Sequence, residues 1–180
     1  MQKYKIPAKP TFYNNIQFRS RLESRWAAFF DLIGWKYSYE PLDLERWTPD
    51  FKIVTDAGSF FFVEVKPQLY SDLELRLKIG NSVEFMERIL IVTEEPFLSN
   101  LPNCIGLMSV PGKIKNHLNQ EDFEFCSSII MNAFGKGNDI INLCEANEMI
   151  LDTFMEQKDF CTKLWKEAGN KVQFLKPLST

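Results

Sequence analysis

The chain has 180 residues, of which 45% are hydrophobic and 16 are phenylalanine, and its formal net charge is −3. This composition excludes an intrinsically disordered chain and is typical of one globular domain with a substantial core. No apolar run is long enough to span a membrane, and the residues after Met1 lack the apolar region of a secretory signal, so we expect a cytoplasmic protein. The four cysteines form no CxxC pair, which disfavours a zinc site and predicts reduced, buried thiols.

Basic charge is concentrated near the N-terminus. Residues 1–36 contain seven Lys and Arg against two acidic residues, whereas the remainder of the chain is acidic. Such a region can form a phosphate-facing patch, or it can be a set of solvated side chains. We predict an irregular arm over residues 1–17, because two prolines and Asn14-Asn15 interrupt any periodicity.

The first helix is predicted from about Arg21 to Ile33. Its apolar residues recur at helical spacing and form one stripe: Leu22, Trp26, Phe29, Phe30 and Ile33. Ser20 and Glu23 have the spacing of a capping box at the start, and Gly34 follows the end. Glu23 therefore has two compatible interpretations: it caps the helix, or it borders the buried face as part of a site.

The next elements are predicted to be strands with one helix among them. A half-buried strand at residues 35–39 precedes a hairpin at 47–66, whose turn lies at 55–58. A capping box opens a short helix at 71–79, and the apolar run at 88–93 predicts a central strand covered on both faces. We thus expect an α/β (α+β) fold with the order helix-strand-strand-strand-helix-strand and a mixed sheet.

The C-terminal half gives weaker signals. Two further strands are predicted at 104–110 and 123–131, and a glycine-rich linker at 135–138. Helical periodicity from about Asp139 to Ala168 predicts two helices, broken near residues 157–159. The chain then divides into three predicted parts: an arm at 1–17, a core at 18–134 and a mainly helical extension packed on that core at 139–180. This extension is where we expect a homodimer contact or a protein partner.

The hairpin carries charges that a strand usually avoids. If its strands pair symmetrically about Ala57, Asp50 lies opposite Glu64, whereas a slip of one residue would put them on opposite faces. Two opposed carboxylates repel each other, and a divalent cation between them would reverse the sign of that interaction. Lys66 shares the face of Glu64 because side chains alternate along a strand.

Three short motifs occur in a fixed order. They are FRSRLESRW at residues 18–26 on the first helix, PDF at 49–51 on one hairpin strand and VEVK at 63–66 on the other. Together they resemble the PD-(D/E)xK nuclease superfamily, which has the restriction-endonuclease-like fold, and more narrowly a group of phage and transposon-end endonucleases. The resemblance extends from Phe18 to about Thr93. It departs from the family at Pro67, where these nucleases usually have glycine.

The resemblance implies a Mg²⁺-dependent endodeoxyribonuclease, phage-encoded and acting on DNA, for which Mn²⁺ is expected to substitute. The implied catalytic residues are Glu23, Asp50, Glu64 and Lys66, and the implied metal ligands are Asp50, Glu64, the Val65 carbonyl and Glu23. The implied DNA-binding residues are Arg19, Arg21 and Arg25, which are equally consistent with a solvated helix face.

Phosphodiester hydrolysis explains why these residue types are needed. The reaction requires an activated water and stabilisation of the charge that develops on phosphorus. Mg²⁺ prefers hard oxygen ligands, keeps several waters and takes one or two carboxylates, while a lysine can orient or deprotonate the attacking water. Structural alternatives remain: Asp50 as a turn residue, and Glu64 with Lys66 as an ion pair. The alternative function is a catalytically idle protein of the same fold that binds DNA or a host or phage protein.

Overall fold

The computed structural model describes residues 8–44, 47–68, 79, 88–94, 103–115, 121–132, 137–142 and 160–172. The strands are β1 Thr11–Tyr13, β2 Ile16–Phe18, β3 Lys36–Tyr39, β4 Phe51–Val54, β5 Phe60–Val65, β6 Ile89–Val92, β7 Cys104–Lys115, β8 Glu121–Asn132 and β9 Asn138–Asn142. The helices are α1 Arg21–Leu32 and α2 Phe160–Lys171. The mixed α and β class predicted from the sequence is confirmed. Of the predicted helix at 71–79, only Ile79 is among these residues, and it is helical and buried.

Seven strands form one mixed sheet in the order β3-β4-β5-β6-β7-β8-β9. The pair β5–β6 is parallel and the other neighbouring pairs are antiparallel. All four residues of β6 are buried, as its continuous apolar sequence predicts for a central strand. The hairpin register pairs Phe51 with Val63 and Val54 with Phe60, so the predicted symmetry about Ala57 is confirmed.

Helix α1 covers one face of this sheet. Ser20 is its N-cap, and the Ser20 side chain accepts a hydrogen bond from the backbone N–H of Glu23 at 3.1 Å. Trp26, Phe29 and Phe30 are fully buried, which accounts for the apolar stripe. The indole of Trp26 also donates to the carbonyl of Thr93 at 2.9 Å, and this bond fixes the helix against the end of β6.

Two predicted assignments are wrong. Residues 11–17 of the predicted irregular arm, together with Phe18, form the hairpin β1–β2, in which Asn14 and Asn15 have positive φ values of 47° and 64°. Asparagine tolerates this left-handed conformation, and two such residues make the tight turn that joins twisted strands. The helix predicted from about Asp139 is a strand at its start, because β9 pairs with β8 at the sheet edge. Helix α2 begins at Phe160, where the second predicted helix was expected.

The sheet curls until its last strand meets its first. Six steps of about 4.8 Å would separate β3 from β9 by about 29 Å in a flat sheet. Instead, the Trp35 indole donates to the Asn138 carbonyl at 2.8 Å, and the Asn138 amide donates to the Ile33 carbonyl at 3.1 Å. Ile130 and Ile140 consequently join the same core cluster as the residues of α1.

The cysteines differ partly from expectation. Cys104 and Cys161 are free and buried, as predicted. Cys126 is disulfide-bonded, so the prediction of reduced thiols is wrong at this position. Within the described part of the chain, no helix has the length and apolarity needed to cross a membrane.

Candidate active site

Asp50 and Glu64 lie side by side at the open end of the hairpin β4–β5. The register of the hairpin, continued by one pair beyond Phe51 and Val63, places them opposite each other. Both residues are buried, with 5% and 6% of their surface exposed. The backbone N–H of Val65 donates to Asp50 Oδ2 at 2.7 Å, which fixes the carboxylate against the neighbouring strand. A buried carboxylate in a strand pair is costly, so this arrangement needs compensating partners.

Glu64 is held by one neutral donor and one cation. The indole Nε1 of the buried Trp47 donates to Glu64 Oε2 at 2.7 Å. The ammonium Nζ of Lys66 lies 2.8 Å from Glu64 Oε1, and the Lys66 side chain is 37% exposed. The backbone N–H of Lys66 donates to the Val92 carbonyl, which keeps the lysine on the sheet beyond the end of β5. In this ion pair the Glu64 carboxylate is therefore buried, whereas the Lys66 side chain reaches solvent.

Glu23 both caps α1 and joins the cluster. Its Oε1 accepts a hydrogen bond from the Ser20 hydroxyl at 2.7 Å, while the Ser20 hydroxyl accepts from the Glu23 N–H. Its Oε2 accepts a hydrogen bond from the hydroxyl of Tyr39. Burial and this bond to Glu23 raise the pKa of Tyr39 to about 12, so the phenol stays protonated and donates. Glu23 therefore caps the helix and also borders the buried face beside the other carboxylates, while its role in a site stays a prediction.

Arg19 completes the cluster from the segment before α1. Its Nη2 lies 2.6 Å from Asp50 Oδ1, its Nε lies 2.8 Å from Glu40 Oε1, and Nε is 4.0 Å from Glu23 Oε2. The backbone N–H of Arg19 donates to the Tyr39 hydroxyl at 3.0 Å, which ties the same segment to β3.

The cluster has a surplus of negative charge. Its carboxylates are Glu23, Glu40, Asp50 and Glu64, and its cations are Arg19 and Lys66. Burial and the charge of Glu64, with a smaller effect of Glu23, raise the pKa of Asp50 to about 7. The Val65 N–H and Arg19 oppose this rise without cancelling it. A cation placed beside Asp50 would therefore be favoured.

Two carboxylates of this cluster, Asp50 and Glu64, are the groups that could bind a metal ion. Among the residues that the structure describes, no group of three or more His, Cys, Asp and Glu side chains is arranged to hold a metal. Asp50 and Glu64 are adjacent and share the repulsion that a cation would remove. Because Mg²⁺ takes one or two carboxylates and fills its other positions with water, this pair fits Mg²⁺.

The predicted DNA-binding arginines separate in the structure. Arg19 belongs to the cluster, and Arg21 is exposed at the first position of α1. Arg25 points to the C-terminal helix instead: its guanidinium lies 3.9 Å from the ring centre of Trp165 and donates to the Trp165 carbonyl at 2.8 Å and 3.2 Å. Arg25 thus joins α1 to α2.

Sequence reasoning missed three members of the cluster: Trp47, Tyr39 and Glu40. Trp47 lies at the edge of the predicted hairpin, and a tryptophan next to a charged strand is a signal for an indole donor. Tyr39 ends the predicted strand β3, but its partner Glu23 is 16 residues away. Glu40 gives no sequence signal for its contact with Arg19.

No protein-family model, no curated protein and no solved structure matches this chain.

Proposed function

We propose that this chain is a Mg²⁺-dependent endodeoxyribonuclease built on a restriction-endonuclease-like core. The element order supports the core: α1 precedes the antiparallel strands β3-β4-β5, and β6 lies parallel to β5. The observation that carries the function is the pairing of two buried carboxylates, Asp50 and Glu64, with Lys66 bound to one of them. Burial of these charges costs folding free energy that their ion pairs offset only in part, which supports a role beyond stability.

Asp50 and Glu64 would hold the magnesium ion, with the Val65 carbonyl and a water-mediated contact from Glu23 as further ligands. When bound, the ion supplies Lewis-acid stabilisation of phosphate charge and lowers the pKa of a water. Glu23 remains fixed by Ser20 and Tyr39, so it can orient such a water without moving.

Lys66 would act on the attacking water. Its ammonium is anchored by Glu64 at 2.8 Å and is partly open to solvent, where the phosphodiester must approach. As an ammonium, a lysine in this position can orient the water or offset phosphate charge, and it could receive the proton of the water only after losing one of its own. The indole of Trp47 holds the second oxygen of Glu64 and so sets the direction in which Lys66 is held.

A second candidate is a catalytically idle protein of this fold that binds DNA or a host or phage protein. It is favoured by one observation: both oxygens of Asp50 and both oxygens of Glu64 already have protein partners. A site that is complete without an ion needs no ion to be stable. In either case the setting we propose is a phage protein in the host cytoplasm, with the C-terminal helix as the surface for a protein partner or a second copy.

Plasmid cleavage distinguishes the two candidates. Purified protein is incubated with supercoiled DNA and Mg²⁺, beside the variants Asp50→Ala and Lys66→Ala. We expect the wild type to nick or linearise the plasmid, EDTA to stop the reaction, and both variants to be inactive while folded. Linear, branched and single-stranded DNA and RNA are tested in parallel. Intact nucleic acid in every lane would overturn the enzyme and favour the idle protein.

A further inference from the structure

Arg19 binds the oxygen of Asp50 that the neighbouring strand β5 leaves without a backbone donor. Asp50 Oδ2 is taken by the backbone N–H of Val65 at 2.7 Å, and Oδ1 by Arg19 Nη2 at 2.6 Å. The donor to Oδ2 is a backbone N–H of β5, and the strand fixes its position. The contact with Arg19 is between side chains only. Oδ1 is therefore the oxygen that can change partners.

The Arg19 guanidinium loses little free energy when it leaves Asp50, whereas the buried Asp50 carboxylate is strongly stabilised by a neighbouring cation. The Arg19 side chain is 58% exposed, whereas the Asp50 side chain is 7% exposed. Because the guanidinium is largely solvated, we assign this contact about 1 kcal/mol, the upper value for exposed ion pairs. The guanidinium can return to water at little cost, whereas the buried carboxylate is costly when it is charged and unpaired.

Glu40 provides a second position for the same guanidinium. Glu40 has a positive φ of 44°, a backbone conformation that costs a non-glycine residue about 1–2 kcal/mol. Its N–H donates to the Asp50 carbonyl at 2.9 Å, which holds this turn beside the cluster. The turn directs the Glu40 carboxylate to Arg19 Nε at 2.8 Å. If Arg19 leaves Asp50, Glu40 keeps it at the edge of the site.

Resting on the proposed function, we propose that Arg19 exchanges partners during the enzyme cycle. In the metal-free protein it is the counter-ion of Asp50, and once a divalent cation is bound at Asp50 it turns to a phosphate of the DNA. A divalent ion beside Asp50 would bring one more positive charge than the guanidinium it replaces, into a cluster of four carboxylates and two cations. The planar guanidinium matches two phosphate oxygens, so the released arginine gains a partner of the right geometry. Arg19 is thus a positioning residue that couples metal binding to DNA binding.

The test uses two binding measurements whose expected changes have opposite signs. Mn²⁺ is titrated calorimetrically into the wild type, Arg19→Gln, Arg19→Lys and Lys163→Gln without DNA. Lys163 is exposed on α2, and its variant removes the same charge from an element that contributes no residue to the cluster. We expect Arg19→Gln to bind Mn²⁺ about three- to tenfold more tightly, because a competing cation worth about 1 kcal/mol is gone. Arg19→Lys and Lys163→Gln should stay within about twofold of the wild type.

DNA binding is then measured with Mn²⁺ present and with Lys66→Ala in every protein, so that the DNA stays intact. Arg19→Gln should bind DNA about tenfold more weakly, as expected for the loss of one charge-assisted phosphate contact. Arg19→Lys should recover part of this loss. If Arg19 served only to hold Asp50 in place, Arg19→Gln would weaken Mn²⁺ and DNA binding together, and that result would overturn the exchange. Absence of Mn²⁺ binding by the wild type would overturn the proposed function itself.

Discussion

An acidic side chain lies at each end of the hairpin β4–β5, and the two side chains have different surroundings. At the turn end, Asp139 accepts hydrogen bonds from the hydroxyls of Thr55 and Ser59 and from the N–H of Ile140, all neutral donors. At the open end, Asp50 lies beside Glu64, and the negative charge of Glu64 raises the pKa of Asp50. The first arrangement satisfies a carboxylate, and the second leaves negative charge that the protein does not cancel. The contacts at the turn end stabilise the fold, and we propose that the open end is arranged for a ligand.

The largest expected effect comes from changing an acid to its amide at each end. Glu64→Gln keeps an acceptor for the Trp47 indole but removes the charge, so we expect plasmid cleavage to fall by about a thousandfold. Asp139→Asn is the matched control, and its cleavage rate should stay within about threefold of the wild type below its unfolding temperature. Initial rates of supercoiled plasmid loss measure both. An equal fall in cleavage rate in the two variants would show that the two ends do not differ in function.

The second-largest expected effect is on the pH dependence of the unfolding free energy, to which Asp50 at the open end should contribute. Because burial and Glu64 raise the pKa of Asp50 to about 7, the folded state holds a proton there that the unfolded chain loses near pH 4. Stability from this group is therefore present at low pH and is lost as pH rises through about 7. Between pH 4.5 and 7.5 without metal, we expect the wild type to lose on the order of 3 kcal/mol relative to Asp50→Asn. Urea unfolding at each pH measures the unfolding free energy of both proteins. If the two free energies change in parallel with pH, Asp50 does not titrate in this way.

A smaller effect is expected from removing the satisfied carboxylate. Asp139→Ala leaves the hydroxyls of Thr55 and Ser59 and the N–H of Ile140 without their acceptor, and should cost about 2 kcal/mol of unfolding free energy. Urea unfolding of Asp139→Ala beside Asp139→Asn, which keeps one acceptor oxygen, checks this. Unchanged stability would show that Asp139 is not a structural link.

The smallest effect concerns the donor to Glu64. Trp47→Phe keeps an aromatic ring against Phe62 but removes the indole N–H from Glu64, and should cost about 1 kcal/mol. Trp35→Phe, which removes the indole donor to Asn138 at the turn end, is the comparison and should cost a similar amount without affecting cleavage. A cleavage rate that Trp47→Phe leaves unchanged would exclude a role for Trp47 in positioning Glu64.

Local patterns predicted the part of the site that lies within one hairpin and one helix end. The turn at Asp56-Ala57-Gly58 determines the register, and the register brings Asp50 opposite Glu64. The capping box indicated the position of Glu23. These relations follow from spacing alone, because turn and cap geometry connect residues only a few positions apart.

Contacts between distant segments were not predictable. Tyr39 with Glu23 and Glu40 with Arg19 depend on how β3 lies against the start of α1. The five residues of β9 fit a helix equally well, since two adjacent isoleucines are compatible with either period, and only pairing with β8 makes them a strand. Arg25 was grouped with Arg19 by sequence, yet Trp165, 140 residues away, determines its direction.

The central claim is that Asp50 and Glu64 share one divalent cation, and a crystal structure grown with Mg²⁺ tests it most directly. We predict one ion with an oxygen of each residue at about 2.0–2.1 Å, waters at its other positions and Arg19 displaced from Asp50 Oδ1. A structure at saturating Mg²⁺ in which Asp50 still pairs with Arg19 and no ion touches Glu64 would contradict it.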